Sequence, residues 1–294
     1  MKRYTADLGL LLVGILWGLG FVFVKIGLNE GISPFYLLTI RFLGGFLILY
    51  TVFRKRFTEL TREDLKAGII IGTLQFLGYA FQTFGASMTT AGKNAFFTAI
   101  NVIIVPYIFW IIHKKRPDMF AFSASAICLM GVGVMSIDRN FNLTHLNNGD
   151  ILTIICALFF AAQISLTGYF SRKVDPMKLI LMQMIVAGIF FGLNLLTPDG
   201  MKQITPLKGM TLVSVIYLTV FSTAVPTLLQ TYCQRDTTST KASILLSTES
   251  LFAPIFAFFM LSEVLTKRTV VGAVLILLAV LVSETKLGLK KIEE

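Results

Sequence analysis

The stretch "QTYCQRDTTSTKASILLSTESLFAP" (residues 230–254) lies without a gap over an earlier one, "QTFGASMTTAGKNAFFTAINVIIVP" (residues 82–106). Gln82, Thr83, Thr89, Thr90, Lys93 and Pro106 recur as Gln230, Thr231, Thr237, Thr238, Lys241 and Pro254, and Phe84 is answered by Tyr232. Most of these are polar, so a shared apolar composition does not explain the match. Upstream, Pro34 falls on Pro176 and Leu65-Lys66 on Leu207-Lys208, with the extra residues of the second copy around the eighth apolar segment. The chain is a tandem repeat.

The repeat unit is built for lipid. Hydrophobic residues make up 55% of the chain and charged residues 14%, with a mean hydropathy of +0.77. A soluble domain of this size carries roughly a quarter charged residues. Crossing a bilayer takes about 20 mostly apolar residues. Such segments are expected at 8–28, 34–53, 66–86, 93–113, 119–137, 149–170, 176–196, 209–232, 241–261 and 266–285. The sequence therefore predicts an all-α integral membrane protein with ten transmembrane helices. It reads as a single transmembrane domain over 1–294, with repeat one at about 8–137 and repeat two at about 149–286.

The net charge of +10 follows topology. With the N-terminus inside, Lys2, Arg3, Arg54, Lys55, Arg56, Arg62, Lys114, Lys115, Arg116, Arg172, Lys173 and Arg235 all fall on the cytoplasmic side. Inward basic residues outnumber outward ones by roughly three to one, the positive-inside bias of a multi-pass protein with both termini cytoplasmic. No nucleic-acid partner is implied. The first segment reads as a signal anchor, since no small-residue cleavage site follows it. Cys128, Cys156 and Cys233 stand singly in different segments, giving neither a disulfide framework nor a metal spacing. No metal or cofactor is expected.

Five helices per repeat is an odd number, so the second copy enters the membrane from the opposite side. Lys93 then lies at the outer face and Lys241 at the inner. Inverted repeats of this kind place a substrate site near the midplane, at the junction of the halves.

These residues also carry a resemblance. "LWGLGFVFVKIGL" (16–28) with Trp17-Gly18 and Lys25, followed by Pro34 and Arg41, resembles the first hairpin of the EamA-like family of the drug/metabolite transporter superfamily. "KASILLSTES" (241–250) is similar to that family's second-repeat lysine and glutamate, and "LSEVLTKRTVVGAVLILLAVLV" (261–282) to its closing segment, with Glu263 and Gly272. Ser250 stands where many members have proline, Phe159-Phe160 replaces a Trp-Gly echo, and Ala279 replaces the glycine kept at Gly131. The resemblance implies a cavity lined by helices 1, 3, 4, 6, 8 and 9, with export the common direction.

Polar stripes within apolar helices point away from lipid. Helical spacing aligns Gln75, Tyr79 and Gln82 on one face, Asn94, Thr98 and Asn101 on another, and Thr223, Thr227 and Gln230 on a third. Ser243, Ser247, Ser250 and Pro254 form a further stripe with Glu249 beside it, and Gln163 adds an amide. One reading makes these groups interhelical glue; the other makes them the wall of a polar binding site. Glu249 is the sharpest of them. It is expected about eight residues into its helix, roughly 12 Å below the start, where an ionised group costs on the order of 3 kcal/mol or more. Its repeat partner is Asn101. A protonatable group there could couple transport to protons, or be held structurally by neighbouring hydroxyls.

Lys93 and Lys241 open their helices and Lys25 lies about one turn from the end of its own. Each admits snorkelling to lipid phosphate or a place at a mouth of the cavity. Arg41, deep in the second helix, needs a partner and reads as an interhelical tether, with a substrate contact as the alternative. Trp17 and Phe21 share a face beside Gly14 and Gly18, for close packing or as an aromatic wall.

The rival classes lack signatures. His113 and His145 fall in loops on opposite sides, and no catalytic motif joins them. No filter-like loop suggests a channel. A lipid or lipid-linked sugar flippase and a multidrug exporter stay open. The sequence points to a monomeric secondary transporter of the cell membrane, whose partners are the lipid bilayer and a small polar or amphipathic metabolite, with an amino acid favoured.

Overall fold

Helices begin in this chain where a short polar side chain can take up the orphan N–H groups of a first turn. The computed structural model describes residues 3–114, 116, 119–136 and 147–285. Ser33 accepts from Tyr36 N (3.3 Å) ahead of Pro34, and Asp175 from Met177 N (2.7 Å) ahead of Pro176. Thr61 with Asp64, and Asn147 with Asp150, form reciprocal capping boxes.

The helices that follow are α1 (Arg3–Asn29), α2 (Pro34–Phe53), α3 (Arg62–Met88), α4 (Ala91–Thr98), α5 (Asn101–His113), α6 (Met119–Ser136) and α7 (Asn148–Phe170). The second half holds α8 (Pro176–Leu195), the single turn α9 (Pro198–Met201), α10 (Gly209–Thr219), α11 (Val225–Arg235), α12 (Ser239–Leu246), α13 (Glu249–Leu261) and α14 (Lys267–Thr285). A π-helical turn, Val220–Ala224, joins α10 to α11. The described residues contain 8 helical spans long and apolar enough to cross a membrane. In two of them the helix is interrupted, as α4–α5 and α12–α13. The expected fifth and tenth segments are α6, apolar over Phe122–Gly131, and α14; the two pack on each other where Gly131 approaches the Gly272 carbonyl.

The surface is rich in exposed apolar side chains while the interior holds many polar ones among its apolar core, a pattern unlike that of a soluble protein. Leu8, Leu47, Ile111, Leu158, Ile216 and Phe259 are exposed, whereas Gln75, Asn94, Thr153, Gln163, Gln183, Gln230 and Gln234 are buried. Only a lipid solvent makes both placements cheap.

The expectation of unbroken fourth and ninth helices is corrected. α4 ends at Thr98 and α5 begins at Asn101; α12 ends at Leu246 and α13 begins at Glu249. Both breaks are tight turns. Ile100, Val102 and Ile103 donate to Phe97, Ala99 and Ile100 (3.3, 3.1 and 3.1 Å), and Thr248, Ser250 and Leu251 donate to Leu245, Ser247 and Thr248 (3.3, 3.0 and 3.0 Å). Every bond has its partner in the other repeat. The caps match as well: Thr90 accepts from Lys93 N and Thr238 from Lys241 N, each at 3.2 Å. So do the ends, where Lys114 and Ser262 take left-handed φ of 55° and 56°. The sequence repeat is therefore a repeat of backbone hydrogen bonds.

α1 seals the second break. A Cβ added to Gly18 would stand 2.7 Å from Phe252 Cβ and 3.1 Å from the Glu249 carbonyl oxygen, and one on Gly14 would overlap the Thr248 hydroxyl. Glycine is required because backbone meets backbone. Gly18→Leu is expected to destabilise the detergent-solubilised protein by about 1–3 kcal/mol through overpacking, read as a lowered unfolding midpoint. An unchanged midpoint would show that α1 does not rest on the break.

Candidate functional site

A cavity opens beside the two breaks, with about 630 Å³ of empty space including its mouth. Its wall draws on both repeats: Trp17, Phe21 and Val24 from α1; Gln75, Tyr79 and Gln82 from α3; Asn94, Thr98 and Asn101 from α4 and α5. Facing them are Phe160, Gln163 and Ile164 from α7, Ser222 from the π turn, Gln230 from α11, and Leu246 and Glu249 at the second break. These are the helices expected to surround it. Arg41 from α2 joins them.

The Arg41 side of the wall follows from one proline. Pro226 has no N–H to give to the carbonyl one turn back, that of Ser222. Two other helices supply donors instead. Trp17 Nε1 donates to Ser222 O (3.1 Å), and Arg41 Nη2 to the same oxygen (3.0 Å) and to Ser222 Oγ (2.9 Å). Arg41 Nε also donates to Thr223 Oγ1. The guanidinium lies over the Tyr79 ring, 4.5 Å from its centroid. Arg41 thus links α2 to the π turn as a tether, and it is also a cavity residue. Its bonds use Nε and Nη2; among the described residues nothing accepts from Nη1.

Glu249 is buried and is the first residue of α13. Its carboxylate accepts no hydrogen bond from any described residue, so the neighbouring hydroxyls do not hold it. The N-terminal end of a half-helix favours a negative charge there. Asn101 occupies the same place at the start of α5. Nearby, Gln82 Nε2 donates to Thr98 Oγ1 (3.2 Å), and Asn94 Nδ2 to Gln82 O (3.1 Å) and Thr153 Oγ1 (2.8 Å), which fixes the first repeat's share of the wall.

Three residues expected in the wall lie elsewhere. Thr223 is spent on Arg41, Thr227 is buried outside the cavity, and the Ser247 hydroxyl turns back to Ile244 O (2.7 Å). Ser243 and Ser250 do the same, donating to Thr240 O and Ser247 O. A serine stripe read as cavity-facing satisfies its own helix instead.

Each of the three lysines lies against protein groups. Lys25 Nζ donates to Ala86 O (2.9 Å) and Thr89 O (2.8 Å), closing the C-terminal end of α3. In the second repeat Arg172 does this for α11, donating to Arg235 O (3.0 Å) and Thr237 O (2.6 Å). Lys241 does not snorkel: it is buried, and its Nζ lies 2.7 Å from Asp7 Oδ2. Lys93 Nζ lies 4.0 Å from Asp150 Oδ2 and is half-exposed. Asp7 and Asp150 were missed, although the signal was available: each is a lone carboxylate in the first turns of the helix that opens its repeat. Glu263 contributes at the Lys93 end, accepting from Ala91 N (2.9 Å) and Gly92 N (3.2 Å) of α4. His113 Nδ1 lies 3.2 Å from Phe109 O, and His145 falls outside the described residues.

Arg41→Met is expected to cost about 3 kcal/mol of stability and Trp17→Phe about 1 kcal/mol, with the double variant exceeding their sum because either donor alone still serves Ser222 O and only the double variant strands it. Denaturant unfolding in detergent measures all three; full additivity would show that the donors do not act on one carbonyl.

The EamA-like transporter family model matches residues 4–137 and 147–285, once for each repeat. An uncharacterized transporter of Archaeoglobus fulgidus is 36% identical over 284 residues, which span 96% of this chain and 86% of the relative. A second from that organism is 24% identical over 288 residues, 94% of this chain and 96% of the relative. A solved crystal structure of 10% identity shares the fold, with a TM-score of 0.77 over 99% of both chains. The chain is a multi-pass membrane protein and belongs to the EamA-like transporter family.

Proposed function

We propose that the protein is a secondary active transporter that moves a small polar or amphipathic metabolite, an amino acid by preference, across the cell membrane by alternating access. The observation that carries this is the cavity itself, walled by matching elements of two repeats and placed beside a broken helix of each. Discontinuous helices at a repeat junction are how secondary transporters expose backbone and charge at mid-membrane. On this reading the repeats are inverted within a single ten-helix domain, both termini are cytoplasmic, and transport runs outward.

The chemistry of the wall supports an amino acid. Arg41 offers its unused Nη1 to a carboxylate, Glu249 offers an unpaired acid to an ammonium group, and Trp17, Phe21, Tyr79 and Phe160 supply apolar surface. A zwitterion with an apolar side chain satisfies all three. Asn94, Thr98, Asn101, Gln163 and Gln230 then make the polar contacts. Glu249, when no substrate ammonium faces it, binds a proton instead, which couples substrate movement to the proton gradient.

The test is flux of radiolabelled amino acids into proteoliposomes under an imposed pH gradient. Glu249→Gln is expected to abolish the dependence on the gradient while leaving the unfolding midpoint near that of the parent. Gradient-driven flux that is unchanged in this variant contradicts the coupling role.

A further inference from the structure

The two ends of the bundle carry the same three groups, an aspartate, a lysine and a threonine, in two different arrangements. At one end Asp7 Oδ2 holds Lys241 at 2.7 Å, and both side chains are buried, 9% and 7% exposed. There the hydroxyl of Thr237 and the second oxygen of Asp7, both buried, have no hydrogen-bond partner among the described residues. At the other end Asp150 Oδ1 accepts from the Thr89 hydroxyl at 2.7 Å, while Lys93 stands 4.0 Å from Oδ2 with its side chain 43% exposed. Thr89 and Lys93 are the repeat partners of Thr237 and Lys241. So one aspartate grips the lysine and leaves the threonine, and the other grips the threonine and holds its lysine only at the limit of ion-pair distance.

Each pair crosses the repeats. Lys241 of the second repeat meets Asp7 of the first, and Lys93 of the first meets Asp150 of the second. Each pair therefore ties the start of one half's broken helix to the opening helix of the other half. The burial follows the pairing. Every residue of α12 is buried, whereas Lys93 in α4 is not.

We propose that Asp7–Lys241 and Asp150–Lys93 are a matched pair of gates, one at each mouth, in which the aspartate exchanges a threonine for a lysine as its mouth closes. This rests on the alternating-access reading above. In the conformation seen here the Lys241 mouth is shut and the Lys93 mouth is open. When the molecule inverts, one ion pair loosens as its copy tightens, so each conformation keeps one tight pair and one loose one. Nearly balanced states are what a bound substrate can shift with modest differential affinity. The neighbouring charges fit fixed positions: Lys25 and Arg172 hold the backbone carbonyls of Thr89 and Thr237, and Glu263 holds the start of α4.

The test uses purified full-length protein in lipid nanodiscs, with Cys128, Cys156 and Cys233 replaced by alanine and one reporter cysteine at Ser239 or at its repeat partner Ala91. N-ethylmaleimide labelling rates report the two mouths. In the parent both reporters start from buried positions, Ser239 2% and Ala91 1% exposed, so each serves as its own baseline and the changes in rate are compared. Lys241→Gln is expected to speed labelling at Ser239→Cys and slow it at Ala91→Cys, each by about fivefold or more, the scale of an allosteric coupling. Thr89→Val, which removes the competitor for Asp150 and leaves every charge in place, is expected to shift both rates in the same directions. Faster labelling at both mouths, or a change at one mouth alone, would overturn the paired gates, since a purely structural ion pair loosens without reciprocity. The labelling needs no substrate, so failure of the amino-acid reading, judged by flux, is separate from failure of the gates.

Discussion

A helix that stops halfway through a bilayer leaves backbone groups with no water to take them. This chain stops twice, between Thr98 and Asn101 and between Leu246 and Glu249. Both breaks are closed by the same tightened hydrogen bonds, and the second is roofed by Gly14 and Gly18 of α1. The rest of the site follows from that constraint. The turns bring Asn101 and Glu249 to the start of half-helices, and helices packed this closely around two interruptions enclose a cavity. The π turn at Val220–Ala224 is a third departure from regular helix, repaired by Arg41 and Trp17 from two other helices. All three irregularities are satisfied by protein, and each borders the cavity directly, through Asn101, Glu249 and Ser222.

Charge inside the bundle is handled by pairing or by use. Lys25, Arg41, Arg172 and Lys241 all end on carbonyls, hydroxyls or a carboxylate. Removing one partner of a buried pair such as Asp7–Lys241 costs about 3–5 kcal/mol, because the other charge is left stranded. A pair of that weight on one side, and a looser copy on the other, sets the two ends of the molecule unequal. Glu249 is the exception to pairing, and it faces the cavity.

Much of the fold was legible in the sequence. The polar residues of "TTSTK" and "TTAGK" recur at one register, and that register reappears in caps, breaks and helix ends. Gln75, Tyr79 and Gln82 lie on one face in the sequence and on one wall in the structure. The breaks were not legible, because "FFTAIN" and "LLSTES" contain neither glycine nor proline and continue a helical pattern. Serine and threonine misled for a related reason: the same side chains that suggest a polar wall are able to bond their own helix, and Ser243, Ser247 and Ser250 do so. The partner of Lys241 lies more than two hundred residues away, and only the crossing of α1 with α12 brings Asp7 to it. Pro226 was a further overlooked local clue beside Asp7 and Asp150, since a proline frees a carbonyl wherever it sits inside a helix.

The most direct measurement is the sidedness of the two repeats. Ser87 at the end of α3 and Arg235 at the end of α11 are both exposed and close the same element in the two copies. Each is changed to cysteine in protein lacking Cys128, Cys156 and Cys233, then treated in intact cells with a membrane-impermeant maleimide. Inverted repeats predict labelling of Ser87→Cys from outside and of Arg235→Cys only after permeabilisation. Labelling of both from the same side would contradict the inversion, and with it the alternating-access transporter built on two opposed halves.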